Sequence, residues 1–165
     1  MHWRYAEVEY THDFERCDMF ARLVAGAVLW CMHAGALPGI ASAAAPAPAP
    51  APKEAHAYFI WPADGAVIQG RRFWVRMGLR DMGVAPKGVL LSNTGHHHLL
   101  IDVPLPPLNE PIPSDRNHLH FGAGETEARV ELPPGRHTLQ MLIGDQDHRP
   151  HDPPIYSAPI TITVH

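Results

Sequence analysis

Short runs of β-type residues, some alternating and some largely apolar, recur from residue 58 onward and are separated by turn signals rich in proline and glycine. The eighteen prolines and thirteen glycines favour turns and short strands, because both residue types disrupt long helices. Residues 72–79 alternate most clearly, with Phe73 and Val75 on one face and Trp74 on the other. No window of this part of the chain has a helical period. The runs that predict strands are residues 58–61, 72–79, 97–103, 128–132, 138–143 and 160–164.

These runs predict an all-β fold for the C-terminal part of the chain. Six or seven strands in about 110 residues are typical of an antiparallel immunoglobulin-like β-sandwich. A cupredoxin-like or superoxide-dismutase-like Greek-key barrel fits the same pattern and is the alternative. Residues 104–117 contain five prolines and predict a long loop.

Residues 1–43 have the pattern of a secretory signal peptide. The apolar run 23–37 follows a basic residue and leads to residues 41–43, a small-x-small cleavage signal. The run is interrupted by His33 and is short for a bilayer span, so we expect no stable membrane span after cleavage. The polar stretch before Met19 is long for the start of a signal peptide, which suggests that translation begins at Met19. A periplasmic or secreted protein is the expectation.

A spacer and one folded domain are predicted to follow the signal peptide. Residues 44–54 are rich in alanine and proline, a composition that favours an extended linker. Residues 55–165 form the predicted domain. Both cysteines, Cys17 and Cys31, precede it. The mature chain therefore has no thiolate, which excludes cysteine nucleophiles, iron–sulfur clusters and blue-copper sites.

Charge and motifs exclude several classes of function. The net charge is −4 and the basic residues are dispersed, so nucleic acid is not an expected partner. The sequence has no nucleophile motif, phosphate loop or dinucleotide fingerprint. We therefore assign no catalytic or organic cofactor-binding residues, and we favour a binding protein over an enzyme.

Three histidine clusters indicate a metal site, because imidazole is the commonest metal ligand in proteins. In a strand, residues two apart share a face, so two His-x-His pairs on neighbouring strands place four imidazoles around one ion. Copper or zinc is the predicted metal. Asp102 and Asp145 are candidates for carboxylates that orient an imidazole. The predicted metal ligands are His96, His98, His118, His120, His148 and His151.

These residues also allow interpretations other than metal binding. His97 shares a strand face with Leu99 and Ile101, which suggests a core position. Protonation of clustered imidazoles would suit a pH sensor. A recognition module for an envelope protein or a glycan is the main alternative to metal binding. Its aromatic surface would come from Trp61, Trp74, Phe121 and Tyr156.

The predicted domain also resembles a known family. Four motifs carry the resemblance: residues 95–102 (GHHHLLID), 118–127 (HLHFGAGETE), 134–140 (PGRHTLQ), and Gly144-Asp145 continuing through His148 and His151 to Pro153-Pro154. Together they are similar to the bacterial exported domain-of-unknown-function family numbered four-three-nine-nine, over residues 58–164. Glu125 departs from the glutamine of many members. The resemblance implies a shared fold and an export route, and it brings no established activity.

Overall fold

A computed structural model describes residues 47–165, all of which lie in one compact unit, Ala43–His165. The predicted signal peptide, its cleavage site and the start at Met19 lie outside the described residues. Among residues 47–165 the regular elements are all strands, and no helix has the length and apolar character needed to cross a membrane. In chain order the strands are β1 His56–Trp61, β2 Val67–Ile68, β3 Arg72–Arg80, β4 Gly83–Val84, β5 Thr94–Ile101, β6 His118–His120, β7 Glu127–Glu131, β8 Gly135–Gly144 and β9 Ile160–Val164.

The strands form two sheets. The smaller sheet has the order β1-β3-β7 and is antiparallel throughout. The larger sheet has the order β2-β9-β8-β5, and both β4 and β6 pair with the remaining edge of β5. Only the short pairs β2–β9 and β4–β5 are parallel. The predicted all-β, immunoglobulin-like sandwich is confirmed. The two sheets are separate, whereas the alternative, a Greek-key barrel, requires a closed one.

The main hydrophobic core lies between the two sheets. On β3 the buried residues alternate with exposed ones, so that Val75 and Met77 face inward. They join Leu99 on β5 and Met141 on β8, and all four are at most 1% exposed. Burying an aliphatic side chain of this size contributes about 1.5–3 kcal/mol, which makes this core the main source of stability.

A second, smaller core covers the outer face of the larger sheet. Leu100 and Leu142 lie on this face and pack against Ile112 from the proline-rich segment that follows β5. This segment contains no strand and is the predicted long loop. Both faces of β5 are therefore covered, and every residue from Gly95 to Ile101 is buried. Side chains on the outer face of β5 are thus removed from solvent.

Candidate metal centre

Four histidines from three parts of the chain meet on the outer face of the larger sheet. His96 and His98 project from β5 on the same side, because they are two residues apart in a strand. His98 is paired with His120 of β6, and the loop after β8 supplies His148. One ring nitrogen of each residue lies within 4.8 Å of the corresponding nitrogen of the other three. This set of four could hold a metal ion.

The four rings surround one point almost evenly. The six distances between ring centroids range from 4.3 Å, between His120 and His148, to 5.6 Å, between His96 and His148. A square-planar set would make two of these distances longer than the other four by a factor of about 1.4, whereas a tetrahedral set makes all six equal. The observed spread is closer to a tetrahedral arrangement.

Several nitrogens of this cluster lack an ordinary hydrogen-bond partner. The Nε2 atoms of His96 and His98 lie 3.2 Å apart, so the two rings contact each other through nitrogen. His120 Nε2 and His148 Nε2 are buried and have no hydrogen-bond partner within residues 47–165. Buried polar atoms are nearly always paired, because an unpaired one loses its hydration without compensation. A cation shared by the four nitrogens would satisfy them together.

Burial keeps these imidazoles uncharged at neutral pH. Burial, with the neighbouring His120 as a smaller cause, lowers the pKa of His96 to about 4. Burial lowers the pKa of His98 to about 2, and repulsion from His96, when that ring is protonated, is the next cause. Burial also lowers the pKa of His148 to about 4 and lowers that of His120. Neutral imidazole is the form that binds metals, so the cluster is in the ligating state at pH 7.

The histidine cluster lies within a recognised family domain. Residues 75–165 match the model of a family described as a domain of unknown function, DUF4399. The chain belongs to this family. The match spans more than half of the chain and includes His96, His98, His120 and His148. The resemblance noted in the sequence is confirmed.

Among solved structures, the chain is similar to a fibronectin(III)-like module of CbhA from Clostridium thermocellum. The identity is 15%, the match covers 66% of this chain and 92% of that one, and the TM-score is 0.34. The fold assignment therefore comes from the sheets of the DUF4399 domain and not from this likeness. A comparison with curated proteins finds no match.

Gly144, which the sequence reasoning missed, provides space for the cluster. It is paired with His96 across β5 and β8. A Cβ atom at this position would lie 3.0 Å from His98 Nε2 and 3.1 Å from His96 Nε2. Gly122 has the same relation to His120, whose ring would contact an added Cβ. A glycine at the end of a strand pattern is a sequence signal for such a close approach.

Replacing Gly144 with valine is expected to lower the metal affinity of the domain at least about tenfold, although no ligand is removed, because its branched side chain displaces the rings of His96 and His98. Thr138→Val is the matched control, since it adds a valine at an exposed position of the same strand. Zinc titration of both variants tests this. Equal affinities in the two variants would show that the space beside Gly144 is unimportant.

The other two predicted ligands lie outside the cluster. His118 is paired with Leu100 rather than with His98, which places it about 6.6 Å along β6 from His120. Its Nδ1 is 3.0 Å from Asp115 Oδ1. His151 is buried, with Nδ1 3.2 Å from the carbonyl oxygen of Ala49. The structure thus brings together four of the six predicted ligands.

Asp102, a predicted orienting carboxylate, contacts a histidine outside the cluster. Asp102 Oδ2 lies 2.7 Å from His137 Nδ1, and Pro133 O lies 2.9 Å from His137 Nε2. Both ring nitrogens therefore face acceptors, an arrangement that suits the doubly protonated ring. Burial opposes the charge on His137. The hydrogen bond that His137 donates to Asp102, together with smaller causes, outweighs burial, and the pKa of His137 is raised. This pair links β8 to the end of β5 and leaves the cluster untouched.

The remaining predicted positions divide between core and surface. His97 is fully buried on the core side of β5, as its shared face with Leu99 indicated. Phe121 is also buried, whereas Trp61, Trp74 and Tyr156 are 44–46% exposed. Three of the four aromatic residues considered for a recognition surface are thus accessible. Asp145 is buried and accepts hydrogen bonds from backbone N–H groups.

Proposed function

We propose that this domain binds one transition-metal ion, copper or zinc, through His96, His98, His120 and His148. The observation that carries the proposal is the convergence of four neutral imidazoles whose facing nitrogens are buried. Four protein ligands complete a tetrahedral shell, so the site suits binding or storage better than activation of water, which needs an open position.

The contact between His96 and His98 supports this assignment. Two nitrogens 3.2 Å apart, each about 2.0–2.1 Å from one zinc ion, make an angle of about 100–106° at the metal. This angle is close to the tetrahedral value. The facing nitrogens of the four rings lie within 4.8 Å of one another. Four nitrogens bound to one zinc ion in a tetrahedron are about 3.3 Å apart, so binding would draw the rings together. His120 and His148, which are only half-buried, have the most room to move.

Zinc and copper are favoured by different arguments. The nearly even ring spacing suits zinc, which is usually tetrahedral when four protein side chains bind it. Copper(II) prefers a tetragonal arrangement but binds nitrogen ligands more tightly than other divalent ions of its row. Both metals therefore belong in the test.

We further propose that the domain acts in the periplasm or outside the cell. The support is the signal-peptide pattern of residues 1–43 and the imidazole ligand set, which needs no reduced thiol and so suits an oxidising compartment.

The test is calorimetric titration of the untagged, metal-stripped unit Ala43–His165 with zinc and with copper(II). We expect saturation near one ion per chain. A His96→Gln/His98→Gln variant should lose this binding, because it removes two converging nitrogens. A His56→Gln/His118→Gln variant removes the same number of histidines outside the cluster and should keep it. Millimolar binding, or equal binding by both variants, would contradict the proposal.

Recognition of an envelope protein or a glycan is a second candidate function. Tyr58, Trp61 and Trp74 lie on strands of the smaller sheet and are 38–46% exposed. Exposed tyrosine and tryptophan are enriched at binding surfaces, because they combine a large apolar area with a polar atom. Substitutions on this sheet leave the four histidines untouched, so the two functions are separable by mutation.

A further inference from the structure

The carboxylate of Asp145 is buried where β8 ends and the loop carrying His148 begins. Its Oδ1 atom accepts hydrogen bonds of 2.9 Å from the backbone N–H groups of Asp147 and Arg149. Its Oδ2 atom accepts one of 3.1 Å from the backbone N–H group of Ala49. A fully buried carboxylate is costly unless such donors compensate it, so this arrangement fixes the backbone around it.

His148 lies inside the turn that Asp145 closes. The backbone N–H of Asp145 donates to the carbonyl of Arg149 over 2.8 Å, and that of His148 donates to the carbonyl of Asp145 over 3.0 Å. His148 itself has a φ of 65°, in the left-handed region that costs a residue other than glycine about 1–2 kcal/mol. The surrounding hydrogen bonds therefore hold His148 in a backbone conformation that it would otherwise avoid.

The segment upstream of the sandwich joins the same loop. The N–H of Ala51 donates to the carbonyl of Asp152, and the N–H of Asp152 donates to the carbonyl of Ala49, over 3.2 and 3.0 Å. Residues 49–51, which belong to the predicted spacer, are thus paired with the chain just beyond His148. Asp145 connects this segment to the end of β8.

We propose that Asp145 is a positioning residue of the metal site, and that residues 49–51 complete the arrangement through Ala49. Asp145 acts through the backbone of the loop, which presents the ring of His148 to His96, His98 and His120. Its carboxylate also interacts electrostatically with His96 and His148, which favours a cation at the site. The inference rests on the proposed metal-binding function and assigns part of that function to residues that do not touch the ion.

Asp145→Asn is the direct test, with zinc affinity and the visible spectrum of the cobalt(II)-loaded unit Ala43–His165 as readouts. The amide oxygen can still accept from Asp147 and Arg149, while the amide nitrogen meets the N–H of Ala49 without accepting from it. We expect zinc affinity to fall about 10–100-fold, the usual cost of removing a supporting partner of a metal ligand. The cobalt bands should also shift, because they report the geometry of the ligands.

Asp102→Asn is the matched control. Asp102 also accepts a backbone hydrogen bond and contacts a histidine, but that histidine is His137, outside the cluster. We expect its zinc affinity to stay within about twofold of the wild type and its cobalt spectrum to be unchanged. An equal loss in the two variants would mean general destabilisation and would overturn the inference.

Ala49→Pro is the second variant, and it decides the question if Asp145→Asn fails to fold. It removes the N–H that donates to Asp145 and leaves the carboxylate in place. We expect a severalfold loss of zinc affinity. If the wild type binds neither zinc nor copper(II), the proposed function itself fails. If the wild type binds the metal and the folded variants match it in affinity and spectrum, only the role of Asp145 and Ala49 is refuted.

Discussion

Zinc at 100 times its dissociation constant is expected to raise the unfolding temperature of the unit Ala43–His165 by about 10 °C. An ion that binds only the folded state at this excess adds about 2.7 kcal/mol to the free energy of unfolding. In a domain of this size each 1 kcal/mol shifts the unfolding temperature by about 3–6 °C. The effect should be large because the ligands come from β5, β6 and the loop after β8, which are close together only in the folded chain.

Two single substitutions make this expectation specific. His98→Gln removes the most deeply buried ligand and should abolish the zinc-dependent shift, whatever it does to the metal-free stability. His118→Gln should keep the shift, because His118 contacts Asp115 instead of the cluster. Thermal unfolding followed by circular dichroism, with zinc and with a chelator, measures both. A shift that persists in His98→Gln would place the bound zinc elsewhere.

Acid is expected to destabilise the metal-free domain between pH 6.5 and about 4. Unfolded histidine has a pKa near 6.5, whereas burial lowers the pKa of folded His96 to about 4 and that of His98 further. In this range the unfolded chain binds protons that the folded chain does not, so the stability present above pH 6.5 is lost as the pH falls. The slope is about 1.4 kcal/mol per pH unit for each histidine that stays neutral in the folded state.

Urea unfolding of the chelator-treated unit at pH 7.5, 6.5, 5.5 and 4.5 measures this slope. The His96→Gln/His98→Gln variant should show a flatter dependence, which separates these two residues from the carboxylates that titrate at lower pH. His137 acts in the opposite direction, because its raised pKa gives stability that is present below pH 6.5 and lost as the pH rises. Identical slopes in the wild type and the double variant would contradict the buried, neutral state of His96 and His98.

The long strands were predictable because their burial is periodic. The alternation of residues 72–79 corresponds to β3, and the run 160–164 coincides with β9. β2 and β4 have two residues each, too few for any period, and they form only by pairing with longer strands. β5 begins at Thr94, three residues before the predicted run 97–103. It ends at Ile101, two residues before the run ends, because Asp102 has a φ of 57° and turns the chain away. The local sequence pattern thus predicted the long strands, but not the two-residue strands or where β5 begins and ends.

The histidine cluster was predictable only as far as strand geometry reaches. The i, i+2 rule places His96 and His98 on one face of any strand that contains them. The choice between His118 and His120 depends on the register of β5 and β6, which pairs His120 with His98. The position of His148 depends on the turn closed by Asp145, whose contacts are to backbone and not to an imidazole ring as the sequence suggested. Register and buried backbone contacts are tertiary properties.

His96 and His148 are far apart in the sequence, and no cysteine occurs between residues 47 and 165. An ion joining them would therefore cross-link the chain over a span comparable to that closed by many disulfides. Unlike a disulfide, this cross-link would form without an oxidant, and a chelator or acid would open it reversibly. Metal supply, rather than thiol oxidation, would then set how long the domain stays folded.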